Sequence, residues 1–179
     1  GAEAHKGQRI LIHAGAGGVG HFAVQFAAHF GAEVIATGSA RNAEWLRGLG
    51  ASEVVDYTTT RFEDVVHDVD VVIDLIGNVH DSTGTRSLQT LRPGGLIINV
   101  PTGSWPGFAA DAAAAGVRAT HFKLAPDGRT LAGIARLLDS GDIRVNVDRV
   151  FELDQIAEAD HALEDGHTRG KIVLRVSED

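Results

Sequence analysis

Short apolar runs bounded by Gly, Pro, Asp or Asn alternate along this chain with longer stretches in which apolar residues recur at helical spacing. Runs that are apolar on both strand faces, each separated from the next by a helix, mark a parallel sheet covered on both sides. They place strands at Arg9 to Ala14, Glu33 to Thr37, Glu53 to Asp56, Asp70 to Leu75, Gly95 to Val100 and Val117 to Phe122. Helical spacing places segments between them at about Gly18 to Phe30, Asn42 to Leu49, Thr60 to Val66, Asp81 to Leu91 and Gly107 to Ala115. Such an alternation predicts an α/β fold with a doubly wound, parallel six-stranded sheet and helices on both faces.

The first helix carries two stripes. Phe22, Phe26 and Phe30 recur at i+4 on one, and His21, Gln25 and His29 on the other, so the phenylalanines are expected to pack on the sheet and the polar stripe to meet water. Beyond the sixth strand, Leu131, Ile134, Leu137 and Leu138 predict another amphipathic helix, closed by Gly141 as a left-handed cap. The first domain therefore spans residues 1–142. Residues 143–179 form a β-α-β appendix, with strands at Val147 to Phe151 and Lys171 to Val176 around a helix from Asp154 to Leu163, and no evident partner in the main sheet.

The chemistry is concentrated where the first strand meets the first helix. Gly15-Ala16-Gly17-Gly18-Val19-Gly20 is G-x-G-x-x-G in strand-to-helix context, the Rossmann-type dinucleotide turn. Its first glycine is expected to permit the tight turn, its second to let backbone approach a pyrophosphate, and its third to let helix and strand pack closely. Unpaired amides at the helix start then face the phosphates. NAD-binding chains place Asp or Glu at the end of the second strand for the ribose 2′-hydroxyl. Here that stretch reads Ala36-Thr37-Gly38-Ser39-Ala40-Arg41-Asn42, with no carboxylate before Glu44. Ser39 and Arg41 offer a hydroxyl and a guanidinium to a 2′-phosphate, which points to NADP(H). The alternative is that Ser39 caps the second helix and Arg41 lies on its solvated first turn.

Composition narrows the partners. A chain of 179 residues, 44% of them apolar, is of single-domain size and can bury a real core. Its net charge of −8 opposes nucleic acid and anionic membrane as partners, so a small-molecule ligand is expected. The absence of cysteine excludes disulfides and cysteine-ligated zinc and suits the cytoplasm. No apolar run reaches membrane-spanning length.

Gly7-Gln8-Arg9-Ile10-Leu11-Ile12-His13 before the glycine turn, Leu49-Gly50-Ala51-Ser52-Glu53-Val54-Val55-Asp56-Tyr57, Arg92-Pro93-Gly94-Gly95 and Gly166-His167-Thr168-Arg169-Gly170-Lys171-Ile172-Val173-Leu174 together resemble the medium-chain dehydrogenase/reductase superfamily. The likeness is to its zinc-independent, quinone-oxidoreductase-like (zeta-crystallin-like) branch and covers nearly the whole chain. It implies that Ala16, Gly18 and Val19 touch the pyrophosphate, that Ser39 and Tyr57 line the adenosine phosphate end, and that Gly77 and Val100 edge the cofactor. It further implies that Phe122 and Lys123 lie beside the nicotinamide, and that His167 and Arg169 return to the cofactor from the C-terminal segment. Without the family, Tyr57 reads as a half-buried aromatic and His167 and Arg169 as a solvated turn. Members carry an N-terminal barrel-type substrate domain, whereas only Gly1 to Lys6 precede the first strand here. The chain is thus expected to be a cofactor-binding part, with the segment from about Val145 folding onto that domain in family members.

The implied reaction is hydride transfer from NADPH to a quinone, enone or related carbonyl. No side chain declares itself as acid or base, so the catalytic residues stay unassigned. His13, His21, His29, His80, His121 and His161 read as surface or satisfied core histidines, and no metal site is assigned. Tyr57 is followed at i+4 by Arg61, which does not make the tyrosine-lysine dyad of short-chain dehydrogenases. A non-catalytic NADP(H)-binding or redox-sensing module is the alternative. The sixth strand, as a sheet edge, is expected to pair two copies into a homodimer.

Overall fold

The alternation of side chains along each strand explains the layers of the computed structural model, which describes residues 4–177. β1 (Arg9–Ile12), β2 (Glu33–Gly38), β3 (Glu53–Asp56), β4 (Val69–Asp74), β5 (Leu91–Asn99) and β6 (Arg118–His121) form one parallel sheet in the order β3-β2-β1-β4-β5-β6. Leu11, Ile35, Val72 and Ile97 point to one face, where Phe62, Val66, Phe108 and Ala112 cover them. Ile10, Ile12, Val34 and Val71 point to the other, under Val24, Ala27 and Leu46. These covers come from α1 (Gly20–His29), α2 (Ala43–Gly48), α3 (Thr83–Ser87) and α4 (Phe108–Ala114), together with the β3–β4 connection. From β1 the chain winds outward through β2 to β3, then crosses back to β4. The carboxyl ends of β1 and β4 therefore flank the crevice where open α/β sheets bind ligands.

α5 (Gly128–Asp139) begins at Asp127, whose carboxylate accepts the amides of Arg129 and Thr130 at 3.1 Å each, and ends at Gly141 with φ +78°. The appendix is β7 (Val147–Glu152), α6 (Ile156–Glu164) and β8 (Lys171–Arg175), a separate two-stranded parallel sheet with its crossover helix.

Three expectations need correction. The segment at Thr60 to Val66 is a single 3₁₀ turn, Phe62–Asp64, which ends where Val65 leaves helical φ/ψ (φ −123°), while Phe62 and Val66 are buried and Glu63 is held by Arg61 and Arg86. The stretch from Asp81 is helical only from Thr83, since Asp81 and Ser82 take positive φ, and Leu91 already belongs to β5, where it pairs with Val69 across a bulge. The stripes of α1 are also only partly as expected: His21 and Gln25 are buried, whereas Phe22 and Phe26 are half-buried and Phe30 is 52% exposed. α1 is covered not only by the sheet but also by the returning C-terminal chain. Gln25 clasps the Arg144 backbone, donating to its carbonyl at 3.0 Å and accepting its amide at 2.8 Å.

Candidate functional site

The glycine turn is built by packing on one side and left open on the other. Gly15 donates to the Thr37 carbonyl at 3.0 Å, which pins the turn to the end of β2. A Cβ on Gly15 would lie 3.0 Å from Ala36 Cβ, and one on Gly20 would overlap the Ala14 carbonyl and lie 2.8 Å from Gly15 Cα. Both are glycines because strand and helix approach so closely. The left-handed residue of the turn is Ala14, with φ +50°. A Cβ on Gly17 would meet only the Ala14 carbonyl, at 3.3 Å, so nothing in the fold demands glycine there. The amides of Gly18 and Val19 have no acceptor among the described residues. An open backbone with free donors at the start of a ten-residue helix fits a diphosphate.

The C-terminal segment closes one side of this turn. Gly170 donates to the Ala16 carbonyl at 2.9 Å, and the Lys171 ammonium lies 3.1 Å from where a Gly18 Cβ would stand. Lys171 thus brings a cation to the turn, a role the sequence reading missed although the Gly170-Lys171 pair sat in a quoted motif. Arg169 is held three ways: Nε donates to Asn42 Oδ1 at 3.0 Å, Nη2 donates to the Arg41 carbonyl at 3.0 Å, and the guanidinium lies 5.2 Å from the Trp45 ring centre. Arg41 in turn donates to the His167 carbonyl at 2.6 Å, and Asn42 donates to Ser39 Oγ at 3.3 Å. Ser39, Arg41, His167 and Arg169, distant in sequence, are therefore brought together. Ser39 stands at the N-cap position of the following 3₁₀ turn without a side-chain cap bond, and Arg41 lies exposed on that turn. Asn42 and Trp45, which orient Arg169, carried no sequence signal.

Between the ends of β1, β2 and β4 lies a cavity of about 460 Å³ whose lining includes His13, Thr37, Tyr57, Ile76, Arg86 and Gly166. Tyr57 is 61% exposed and so forms a rim rather than a half-buried plug. His13 is buried with both ring nitrogens paired, Nδ1 to Thr37 Oγ1 at 3.2 Å and Nε2 to Ser87 Oγ at 2.8 Å. Burial pushes its pKa down to about 4, outweighing the nearby Asp74 carboxylate, so this imidazole is neutral at physiological pH. A cavity of about 540 Å³ lined by Ile10, Phe26, Phe30, Val71 and Ile98 is almost wholly apolar and offers no group for chemistry.

On the far side of the crevice the strand ends are stitched in sequence. Val100 donates to the Asp74 carbonyl and Phe122 to the Asn99 carbonyl, each at 3.0 Å, while Gly77 donates to Asp74 Oδ1 at 2.8 Å. Gly77 is buried, but the Phe122 and Lys123 side chains project into solvent, and no hydrogen bond joins them to residues 166–171 among the described residues. His29, His80, His121 and His161 are exposed as expected. His21 departs from expectation: it is buried, its Nδ1 bonds the Gly17 carbonyl at 3.0 Å, and Nε2 has no partner among the described residues. Burial lowers its pKa.

The family model described as zinc-binding dehydrogenase matches residues 49–174, most of the chain. The chain belongs to this family, within the medium-chain dehydrogenases/reductases. Among its relatives are the mitochondrial NAD(P)H oxidoreductase RTN4IP1 of Danio rerio, 32% identical over 96% of the chain and 50% of that protein, and the 2-methylene-furan-3-one reductase of Solanum lycopersicum, 34% identical over 94% and 40%. The quinone oxidoreductase of Coxiella burnetii superposes with a TM-score of 0.93 at 36% identity, over 98% of the chain and 55% of that structure. The chain thus spans about half the length of the relatives it matches. The family description names zinc, yet among the described residues no group of three or more His, Cys, Asp or Glu could hold a metal ion, and no step is drawn through one.

Proposed function

We propose that this chain is the NADP(H)-binding part of an oxidoreductase that delivers hydride to a quinone, enone or related conjugated carbonyl. The observation that carries the reading is the open turn at Gly17, where unpaired Gly18 and Val19 amides and the Lys171 ammonium converge beside the crevice. The bound nicotinamide supplies the hydride, and the protein binds, orients and shields it. Ala16, Gly18 and Val19 cradle the pyrophosphate. Ser39, Arg41 and Arg169, with His167 and Tyr57 at the rim, take the 2′-phosphate end, where β2 ends without the Asp or Glu of NAD-binding chains. Gly77, Val100, Phe122 and Lys123 border the nicotinamide. The names of the relatives, a quinone oxidoreductase and an enone reductase, support the substrate class.

Residues 1–142 serve as the cofactor domain, and the 143–179 segment, whose β7–β8 sheet leaves Val147, Val150 and Val173 exposed, packs on the remainder of the enzyme. β6 lies at the sheet edge and would pair two copies as a homodimer. We place the protein in the cytoplasm on its lack of cysteine. Titration with NADPH and NADH, followed by turnover with quinones and enones in the full-length protein, tests the reading. Tighter NADH binding overturns the cofactor assignment, and tight NADPH binding without turnover reassigns the chain as a nucleotide sensor.

A further inference from the structure

Asp74, at the end of β4, is completely buried. Its Oδ1 accepts the amides of Ile76 at 2.9 Å and Gly77 at 2.8 Å, and its Oδ2 accepts Asn99 Nδ2 at 3.1 Å. That Asn99 amide also donates to Ser104 Oγ at 3.3 Å, and Ser104 in turn donates to the Pro101 carbonyl at 2.8 Å. The orientation of Asn99 is dictated by its neighbour, since the flipped amide would turn its oxygen on a carboxylate. Ser104 presses against Gly77, where any Cβ would overlap it, and Gly77 adopts φ +72°. The same two residues anchor the next strands through their backbones: the Asp74 carbonyl accepts Val100 N–H and the Asn99 carbonyl accepts Phe122 N–H. Of the groups assigned above to the nicotinamide end, Gly77 therefore hangs from the Asp74 carboxylate, while Val100 and Phe122 hang from the main chain of the two residues whose side chains are paired.

We infer that Asp74 and Asn99 are positioning residues that set the nicotinamide end of the crevice without touching the cofactor. The inference rests on the proposed placement of the nicotinamide. A buried carboxylate with three donors fixes the β4–α3 loop against the β5–α4 loop, so the backbone that borders the ring is preformed before binding. The adenosine and pyrophosphate positions depend on β1, β2 and the C-terminal segment and lie outside this network.

The test compares NADPH with 2′-phospho-ADP-ribose, which is the cofactor without its nicotinamide ring. Asn99→Asp sets two carboxyl groups at the distance now spanned by a hydrogen bond, and Asn99→Asp combined with Asp74→Asn restores a donor-acceptor pair with the roles exchanged. The single variant is expected to weaken NADPH at least about 10-fold and to shift the fluorescence of the bound nicotinamide, while 2′-phospho-ADP-ribose binds within about twofold of the parent protein. The double variant is expected to recover both NADPH affinity and emission. Equal weakening of both ligands, weakening of neither, or a double variant that fails to recover overturns the inference, and the last criterion applies even if the single variant does not fold. Failure of the parent protein to bind either ligand would instead strike the nucleotide reading itself.

Discussion

Gly17 and Gly20, three residues apart in one turn, should fail in different ways. Gly20→Ala drives a Cβ into the Ala14 carbonyl and to 2.8 Å from Gly15 Cα, and both obstacles are backbone, which cannot rotate aside. Overpacking of this kind costs about 1–3 kcal/mol or more, a large share of the stability of a small domain. Gly17→Val meets only one atom at Cβ, at 3.3 Å, so its effect on stability is expected to stay below about 1 kcal/mol. Its methyl groups instead occupy the space through which a diphosphate reaches the Gly18 and Val19 amides. Two charge-assisted bonds at about 1.5–3 kcal/mol each correspond to roughly a 10²–10⁴-fold rise in the NADPH dissociation constant. Urea unfolding and a fluorescence titration on the same preparations separate the two effects. Gly17→Val protein that binds NADPH within threefold of the parent, a range set here at about 0.6 kcal/mol, would refute the reasoning.

Other outcomes follow from the same geometry. Arg169→Ala is expected to weaken NADPH by about 10–100-fold and NADH by less than about threefold, read from parallel titrations, because only the former offers a 2′-phosphate. Gln25→Leu leaves the Arg144 amide and carbonyl without their side-chain partner and should cost about 1–3 kcal/mol in urea unfolding. His13 is buried neutral with its pKa at about 4, below the ordinary 6.5, so the unfolded chain takes up a proton that the folded one refuses. Its contribution to stability is full above about pH 6.5 and falls as pH drops toward 4, about 2 kcal/mol being lost between pH 7.5 and 5. His13→Gln should flatten that part of the pH dependence; an unchanged slope would mean that another group carries it.

The six strands, the helices on both faces and the glycine turn were legible in the chain because each is encoded locally, by a period of apolar residues or by glycines at short spacing, whereas the strand order came from the tertiary structure. The correction to α1 has a tertiary cause: it concerns a surface covered by chain far away in sequence. A helix stripe of His21 and Gln25 reads as solvent-facing until Trp45 is set beside the one and Arg144 over the other. Phe62 and Val66 share a buried face as a helical pair would, yet Val65 leaves helical φ/ψ and a single turn forms between them. In the site, Gly15 to Gly20 and Ser39 stood out by pattern, while Lys171, Asn42, Trp45 and the Asp74–Asn99 pair did not, for their roles lie in contacts spanning from 25 to more than 120 residues of chain. Local periodicity determined which segments are strands and helices and where a nucleotide turn must fall. Only the tertiary structure decided which polar groups are buried together, because burial and hydrogen-bond partnership depend on what returns from elsewhere in the chain.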